Sequence, residues 1–158
     1  MNAEIRQIIA PDEGLIETMT DWMYGWWGER ESYTREAVRL YVQNSCQPRL
    51  PCTFGLFADG QLLGMYQLRL EDLFVRPDLY PWLANVYLEP SARGRGLGGL
   101  MLSSVRDHAR RLSGFPQLYL YTAHQGLYEK YGWSFAGEID THLPKRRIQR
   151  LYRLSLTD

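Results

Sequence analysis

Residues 82–99 read WLANVYLEPSARGRGLGG, an apolar segment that runs directly into a glycine-rich one. The apolar half, Trp82 to Leu88, is typical of a buried strand, and Glu89-Pro90 ends it because proline cannot donate a hydrogen bond to a sheet. From Leu97 to Leu112, apolar residues recur at helical spacing. The stretch therefore predicts a central strand, a tight turn and a helix.

The glycine-rich turn, Arg93–Gly99, is a predicted anion-binding site. It follows a strand and opens a helix, so its backbone N–H groups and the positive end of the helix dipole point at one spot. Glycines let the backbone approach a phosphate closely, and Arg93 and Arg95 can pair with phosphate oxygens. We expect a pyrophosphate to bind there.

The sequence argues against two other interpretations of this turn. Gly94, Gly96 and Gly99 satisfy the dinucleotide fingerprint G-x-G-x-x-G. In that motif an acidic residue about 20 positions later normally binds the ribose. The chain has Gln117–Tyr121 there, and only 59 residues (158 minus 99) follow Gly99. A P-loop fails because no Gly-Lys-Ser/Thr follows. A turn used only for strand-to-helix packing stays open.

The remaining sequence predicts the other elements of one mixed sheet. Asp59-Gly60 favours a tight hairpin between two strand-like segments. The predicted strands are Glu4–Ile9, Cys52–Ala58, Gln61–Leu70, Gln117–Thr122, Ser134–Ile139 and Arg147–Leu156, and the predicted helices are Leu15–Trp26, one from Thr34 and a short one at Gln125–Tyr131. This order indicates an α/β fold with a mixed, mostly antiparallel central sheet of about six to seven strands flanked by helices.

Composition favours a single globular domain over residues 1–158. Hydrophobic residues make up 45% and charged residues 23%, and the formal net charge is +0. That balance gives no argument for a nucleic-acid partner or a membrane surface. The first residues lack the layout of a secretory signal, which favours the cytoplasm. Cys46 and Cys52 are the only cysteines and no histidine cluster accompanies them, so we expect no metal.

These motifs resemble the GNAT superfamily of N-acetyltransferases. The family's motif, Arg/Gln-x-x-Gly-x-Gly/Ala, stands here as Arg93-Gly94-Arg95-Gly96-Leu97-Gly98, followed by Gly99. A second similarity is the short segment Leu127–Trp133. It contains Tyr128 and ends in a glycine and an aromatic residue, Gly132-Trp133. The chain departs from the family at Tyr121, where many members have an asparagine.

The resemblance implies acetyl-CoA as co-substrate and a primary amine of an unidentified small molecule or peptide as acceptor, with direct transfer. By position, the backbone of Val86, Tyr87 and Leu88 would pair with the pantetheine arm. The turn from Arg93 to Gly99 would hold the pyrophosphate, and Tyr128 would lie near the thiol. A phenol can return a proton to the departing thiolate.

Two further expectations concern the base and the assembly. An amine of pKa about 10.4 is mostly protonated at neutral pH, so a base must take its proton, and Glu71 is one candidate near a strand end. The last strand, Arg147 to Leu156, is long enough to offer an exposed edge for a homodimer. The alternative function is a non-catalytic acyl-CoA-binding sensor, which would keep the glycine turn without turnover.

Overall fold

The computed structural model describes residues 2–157. Within these residues the strands are β1 (Ala3–Ile8), β2 (Cys52–Ala58), β3 (Gln61–Arg69), β4 (Trp82–Leu88), β5 (Gln117–Thr122), β6 (Ser134–Asp140) and β7 (Ile148–Ser155). The α-helices are α1 (Glu13–Met23), α2 (Arg35–Asn44) and α3 (Leu97–Ser113). A π-helical segment at Tyr24–Gly28 and 3-10 turns at Pro90–Ala92 and Tyr128–Tyr131 complete the set.

The strands form a seven-stranded sheet in the order β1-β2-β3-β4-β5-β7-β6 within the described part of the chain. β1 pairs antiparallel with β2, and β7 pairs antiparallel with both β5 and β6. β4 and β5 are parallel and pair at Trp82 and Tyr119. The prediction of a mixed sheet flanked by helices is confirmed, and so is the central position of the strand that precedes the glycine turn.

The prediction that the last strand offers a free edge is wrong. β7 lies between β5 and β6, so both of its edges are paired. Alternation of apolar and polar residues shows which face of a strand is buried but does not show which strands lie beside it. The outer strands of the sheet are β1 and β6.

Local signals in the sequence explain most element boundaries. The Asp12 side chain accepts a hydrogen bond from the Leu15 backbone N–H, and the Thr34 side chain accepts one from Ala37, so each caps the start of a helix. Asp59 and Gly60 have φ angles of 50° and 83°, which suits the predicted hairpin turn between β2 and β3. The predicted hairpin is confirmed.

The short helix predicted at Gln125–Tyr131 is only a 3-10 turn, Tyr128–Tyr131. Gly126 and Gly132 have φ angles of 88° and 92°, so left-handed residues bound the turn on both sides. Such residues end helical backbone geometry. The segment is therefore too short for a regular α-helix.

The residues divide into two compact units, and each has its own apolar cluster. The first unit comprises residues 2–67 and 85–101, and α1 and α2 pack on its strands through buried residues such as Met19, Val42 and Met65. The second comprises 68–84 and 102–157, with Trp82 and Leu151 in its cluster. The single-domain organisation over 1–158 stays a prediction.

No helix within residues 2–157 is long and apolar enough to cross a bilayer. Over the same residues, no three His, Cys, Asp or Glu side chains are grouped as metal ligands would be.

Candidate active site

The glycine turn has a backbone conformation that only glycine adopts easily. Gly94 and Gly96 have φ angles of 76° and 77°, in the left-handed region. A Cβ built at either position would meet no atom within 4 Å. These glycines are therefore required for the backbone conformation of the turn and not because a side chain would clash with its surroundings. The turn is open on the side where their side chains would lie.

The start of α3 favours an anion. Its first turn, Leu97–Leu100, contains no acidic residue, and the Leu100 N–H donates to Gly96 at 3.2 Å in the first helical hydrogen bond. The preceding N–H groups have no partner within the helix and carry the positive end of its dipole. Arg93 and Arg95 are exposed beside them. The turn thus has the shape and charge to hold a pyrophosphate.

The guanidinium of Arg93 is also tied to the end of β4. Its Nε donates to the carbonyl oxygen of Leu88 at 3.1 Å. This contact connects the glycine turn with the strand segment Val86–Leu88, which the resemblance assigns to the pantetheine arm. These residues all belong to the first unit.

The second half of β4 is half-buried and lies very close to β3. A Cβ built on Gly64 of β3 would be 2.9 Å from the carbonyl oxygen of Tyr87 and 3.1 Å from the sulfur of Met101 in α3. Real Cβ atoms do not approach backbone atoms so closely. Glycine at position 64 therefore allows β3, β4 and the start of α3 to meet.

Asn85 interrupts the regular geometry of β4. Its φ angle is +54°, which is uncommon for a residue other than glycine and is most often found in asparagine or aspartate. Its side-chain oxygen accepts from Trp27 Nε1 at 3.1 Å, and its Nδ2 donates to Tyr41 Oη at 2.9 Å and to Gln67 Oε1 at 2.8 Å. Sequence reasoning did not find this network; the only signal was one amide in an apolar strand.

Helix α1 continues into the π-helical segment Tyr24–Gly28. π-Helical turns occur frequently at functional sites. This one carries Trp26 and Trp27. Trp27 packs edge-on against Tyr33 and Tyr41, with ring centroids 5.8 and 5.5 Å apart.

An aromatic row lies along the end of β4. Trp22 stacks on Tyr87 at 5.1 Å between ring centroids, and Trp26 meets the same ring at 5.8 Å. Trp22 Nε1 donates to Glu89 Oε2 at 2.8 Å, which fixes that carboxylate at the end of the row. Trp22 is buried, whereas Trp26 is 44% exposed.

A cavity of about 560 Å³ opens beside this row. Its charged lining consists of the carboxylates of Asp12 and Glu89 and the guanidinium of Arg6. The Arg6 guanidinium lies 3.9 Å above the ring of Phe57. Two carboxylates and one guanidinium give the lining a net negative charge, which favours a cationic ligand over an anionic one.

The structure places Tyr128 in the second unit, in the 3-10 turn before Gly132. Its ring packs against those of Trp133 and Tyr152, each with centroids 6.1 Å away. Burial raises the pKa of the Tyr128 phenol to about 12. The phenol therefore keeps its proton at neutral pH and can serve as a proton donor.

Glu71 also belongs to the second unit, where it follows β3 and is exposed to solvent. Val86, Tyr87, Leu88 and the glycine turn belong to the first unit. The first unit thus gathers the residues expected to bind the cofactor, and the second holds both residues expected to transfer protons.

Comparison with known proteins identifies a family. The model of the acetyltransferase (GNAT) family matches residues 15–133. The spermine/spermidine N(1)-acetyltransferase of Bacillus subtilis strain 168 is 29% identical over 123 residues, which are 73% of this chain and 81% of that protein.

Solved structures share the fold at low sequence identity. An aminoglycoside 6'-N-acetyltransferase complexed with coenzyme A has a TM-score of 0.75 and 14% identity, with 98% of each chain covered. Spermidine N-acetyltransferase from Vibrio cholerae, in complex with CoA and spermine, has a TM-score of 0.71 and 14% identity over 98% of this chain and 95% of that one.

Proposed function

We propose that the chain, which belongs to the GNAT acetyltransferase family, moves the acetyl group of acetyl-CoA to a primary amine of a polyamine. The observation that carries the proposal is the open glycine turn at the start of α3, with Gly94 and Gly96 in left-handed conformations. Acetyl-CoA supplies a thioester already activated toward amines. The chain supplies binding, orientation and proton transfer.

Donor binding is assigned to the first unit. Arg93 and Arg95 pair with the pyrophosphate, and the N–H groups at Gly94–Gly99 point toward it. The backbone of Val86, Tyr87 and Leu88 holds the pantetheine arm in the manner of an added strand. A neighbouring backbone N–H near Leu88 can polarise the thioester carbonyl.

Tyr128 is proposed as the proton donor to the thiolate that leaves. A group with this role must be protonated at the working pH, and a phenol whose pKa is raised to about 12 meets that condition. Its burial against Trp133 and Tyr152 also restricts its ring to one orientation.

Glu71 is proposed as the base that removes a proton from the acceptor ammonium. An alkyl ammonium of pKa about 10.4 is neutral in only about one molecule in a thousand at pH 7, so the acceptor must lose a proton before it can attack the thioester. Glu71 is solvent-exposed and can accept the proton through a water molecule.

A polyamine acceptor is supported by two kinds of observation. The Bacillus subtilis relative is named for spermine and spermidine. In this chain, the ring of Trp26 beside Tyr87 is half-exposed and can receive an ammonium group. The carboxylate of Glu89 is bonded to Trp22, which stacks on the same Tyr87 ring. Ring faces and carboxylates both attract organic cations.

We further propose that the enzyme works in the cytoplasm. The formal net charge of +0 supports the proposal that it has no nucleic-acid or membrane partner. A homodimer would form through an outer strand, β1 or β6, because β7 is paired on both sides. Light scattering on the purified protein at several concentrations tests the dimer, and a monomer at all concentrations would contradict it.

The function is tested by thiol release from acetyl-CoA with spermine, spermidine, an aminoglycoside and a peptide with a free N-terminus as separate acceptors. We expect turnover with spermine or spermidine at a kcat/KM well above that of the others. Calorimetric binding of coenzyme A without turnover on any amine would instead support the sensor. Coenzyme A at about 100 times its Kd should raise the free energy of unfolding by roughly 2.7 kcal/mol. If it does not, the assignment of the donor site is wrong.

A further inference from the structure

We propose that Asn85 is a positioning residue of this transferase: its side-chain amide fixes the irregular backbone of β4 and ties it to Trp27 and Tyr41. The inference rests on the proposed function, in which Val86–Leu88 hold the arm of the donor. It adds a residue that contacts neither the reacting atoms nor the coenzyme and acts through its neighbours.

The backbone of Asn85 gives the first argument. A φ angle of +54° within a strand turns the chain locally, as a bulge does, and changes the direction of the N–H and C=O groups that follow. The groups that follow are those of Val86, Tyr87 and Leu88. Such a conformation is strained in a residue other than glycine, so it persists only where surrounding contacts enforce it.

The side chain of Asn85 supplies those contacts, and chemistry fixes its orientation. The indole nitrogen of Trp27 can only donate, so the atom 3.1 Å from it must be the amide oxygen. The amide nitrogen then points to Tyr41 Oη and to Gln67 Oε1, at 2.9 and 2.8 Å. The amide's oxygen and both of its N–H groups are therefore engaged.

The three partners come from different elements of the first unit. Trp27 lies in the π-helical segment, Tyr41 in α2 and Gln67 in β3, where it is fully buried. One amide thus connects β4 to the strand beside it and to two helical segments packed over it. Its hydrogen bonds thus link the positions of Trp27 and Tyr41 to the backbone at position 85.

Asparagine is the residue type that meets both requirements. It tolerates a left-handed φ angle better than most residues, and it offers an acceptor and two donor hydrogens in one plane. Aspartate tolerates the backbone equally well, but it cannot donate to Tyr41 or Gln67. Asn85→Asp therefore removes the donors at nearly constant size and backbone preference.

A second pair of variants offers a matched comparison. Tyr33 and Tyr41 both pack edge-on against Trp27, with interplanar angles of 83° and 87°. Only the hydroxyl of Tyr41 accepts from Asn85. Tyr41→Phe and Tyr33→Phe thus remove the same atom beside the same ring, but only the first removes a contact of the amide.

The experiment measures the Kd of coenzyme A by calorimetry on the full chain, together with the KM for acetyl-CoA, well below the melting temperature of every variant. We expect Asn85→Asp to raise the coenzyme A Kd about tenfold or more and Tyr41→Phe about threefold to fivefold, as expected when hydrogen bonds to one amide are lost. Tyr33→Phe should change it less than about twofold.

Unchanged coenzyme A affinity in a folded Asn85→Asp would overturn the inference, and so would equal effects of Tyr41→Phe and Tyr33→Phe. If Asn85→Asp fails to fold, the two tyrosine variants decide alone. Should the unaltered protein bind no coenzyme A, the proposed function fails and this inference with it. Binding by the unaltered protein with no difference among the variants rejects the positioning role only.

Discussion

Gly64 of β3 faces the backbone of Tyr87 so closely that a single methyl group would lie 2.9 Å from the Tyr87 carbonyl oxygen. We predict that Gly64→Ala lowers the free energy of unfolding by about 1–3 kcal/mol, because a backbone atom must move to admit the methyl group. It should also weaken coenzyme A binding, since Tyr87 belongs to the proposed donor site. Thermal unfolding and calorimetry measure the two effects.

Gly55→Ala is the matched control for this change. Gly55 is a buried glycine of β2, and a Cβ there would approach Ile8, Leu62 and Phe57 at 2.8 Å. All three contacts are with side-chain atoms, which can move. We expect Gly55→Ala to affect stability alone, and a loss of coenzyme A affinity equal to that of Gly64→Ala would contradict the assignment of β4.

A second prediction separates backbone strain from ligand binding at the glycine turn. Gly96 and Gly114 have φ angles of 77° and 71°, and a Cβ at either would meet nothing within 4 Å. Alanine should therefore cost about 1–2 kcal/mol of stability at both positions. Only Gly96→Ala should raise the Kd of coenzyme A, as measured by calorimetry. Equal affinity in the two variants would argue against a pyrophosphate site at this turn.

Tyr128→Phe should lower kcat about a hundredfold or more while leaving the Kd of coenzyme A unchanged. The ring and its packing survive, and only the proposed proton donor is lost. Tyr131→Phe, in the same 3-10 turn, is the control and should keep kcat. If both variants turn over at the unaltered rate, the thiolate receives its proton from another group.

The raised pKa of Tyr128 also predicts how stability depends on pH. Its phenol has a pKa of about 12 when folded, whereas an unfolded tyrosine has one of about 10. Above pH 10 the unfolded chain loses this proton first, so the free energy of unfolding should fall between about pH 10 and pH 12, by up to about 3 kcal/mol. Tyr128→Phe should show a shallower fall in denaturant titrations over that range, and parallel curves would exclude the burial effect.

Glu71→Gln tests the proposed base. We expect kcat/KM for the amine to fall about tenfold to a hundredfold at neutral pH, with much of the loss recovered at high pH, where more of the amine is already neutral. Glu138→Gln, at another exposed carboxylate of the second unit, should have no effect. A rate unaltered by Glu71→Gln at every pH would assign proton removal to water or to another residue.

Local signals explain what the sequence could predict. The strand, turn and helix at residues 82–113 and the hairpin at Asp59-Gly60 depend on neighbours in the chain, so spacing and glycine placement were sufficient. The position of the glycine turn at the start of α3 could be predicted for the same reason, and its anion-binding chemistry stays a prediction. Its charges and its helix start lie within a few residues of one another.

What could not be predicted depends on distant residues. Asn85 meets Trp27 and Tyr41 across 58 and 44 positions of sequence, and no local pattern indicates those contacts. The π-helical segment Tyr24–Gly28 was not predicted either, since the sequence indicated only a helix over Leu15–Trp26. The order of the strands could not be predicted either, because the alternation of apolar and polar residues along β7 is the same whichever strands lie beside it.

The position of β7 in the chain determines which strand pairings of the sheet form late during synthesis. β5 and β6 each pair with β7, which ends at Ser155, so these two pairings can form only after residues 148–155 have been synthesised. The hairpin of β2 and β3 and the glycine turn leave the ribosome long before. A nascent chain can therefore form the hairpin and the proposed donor-binding turn early, whereas removal of residues 148–155 would leave β6 without its partner strand.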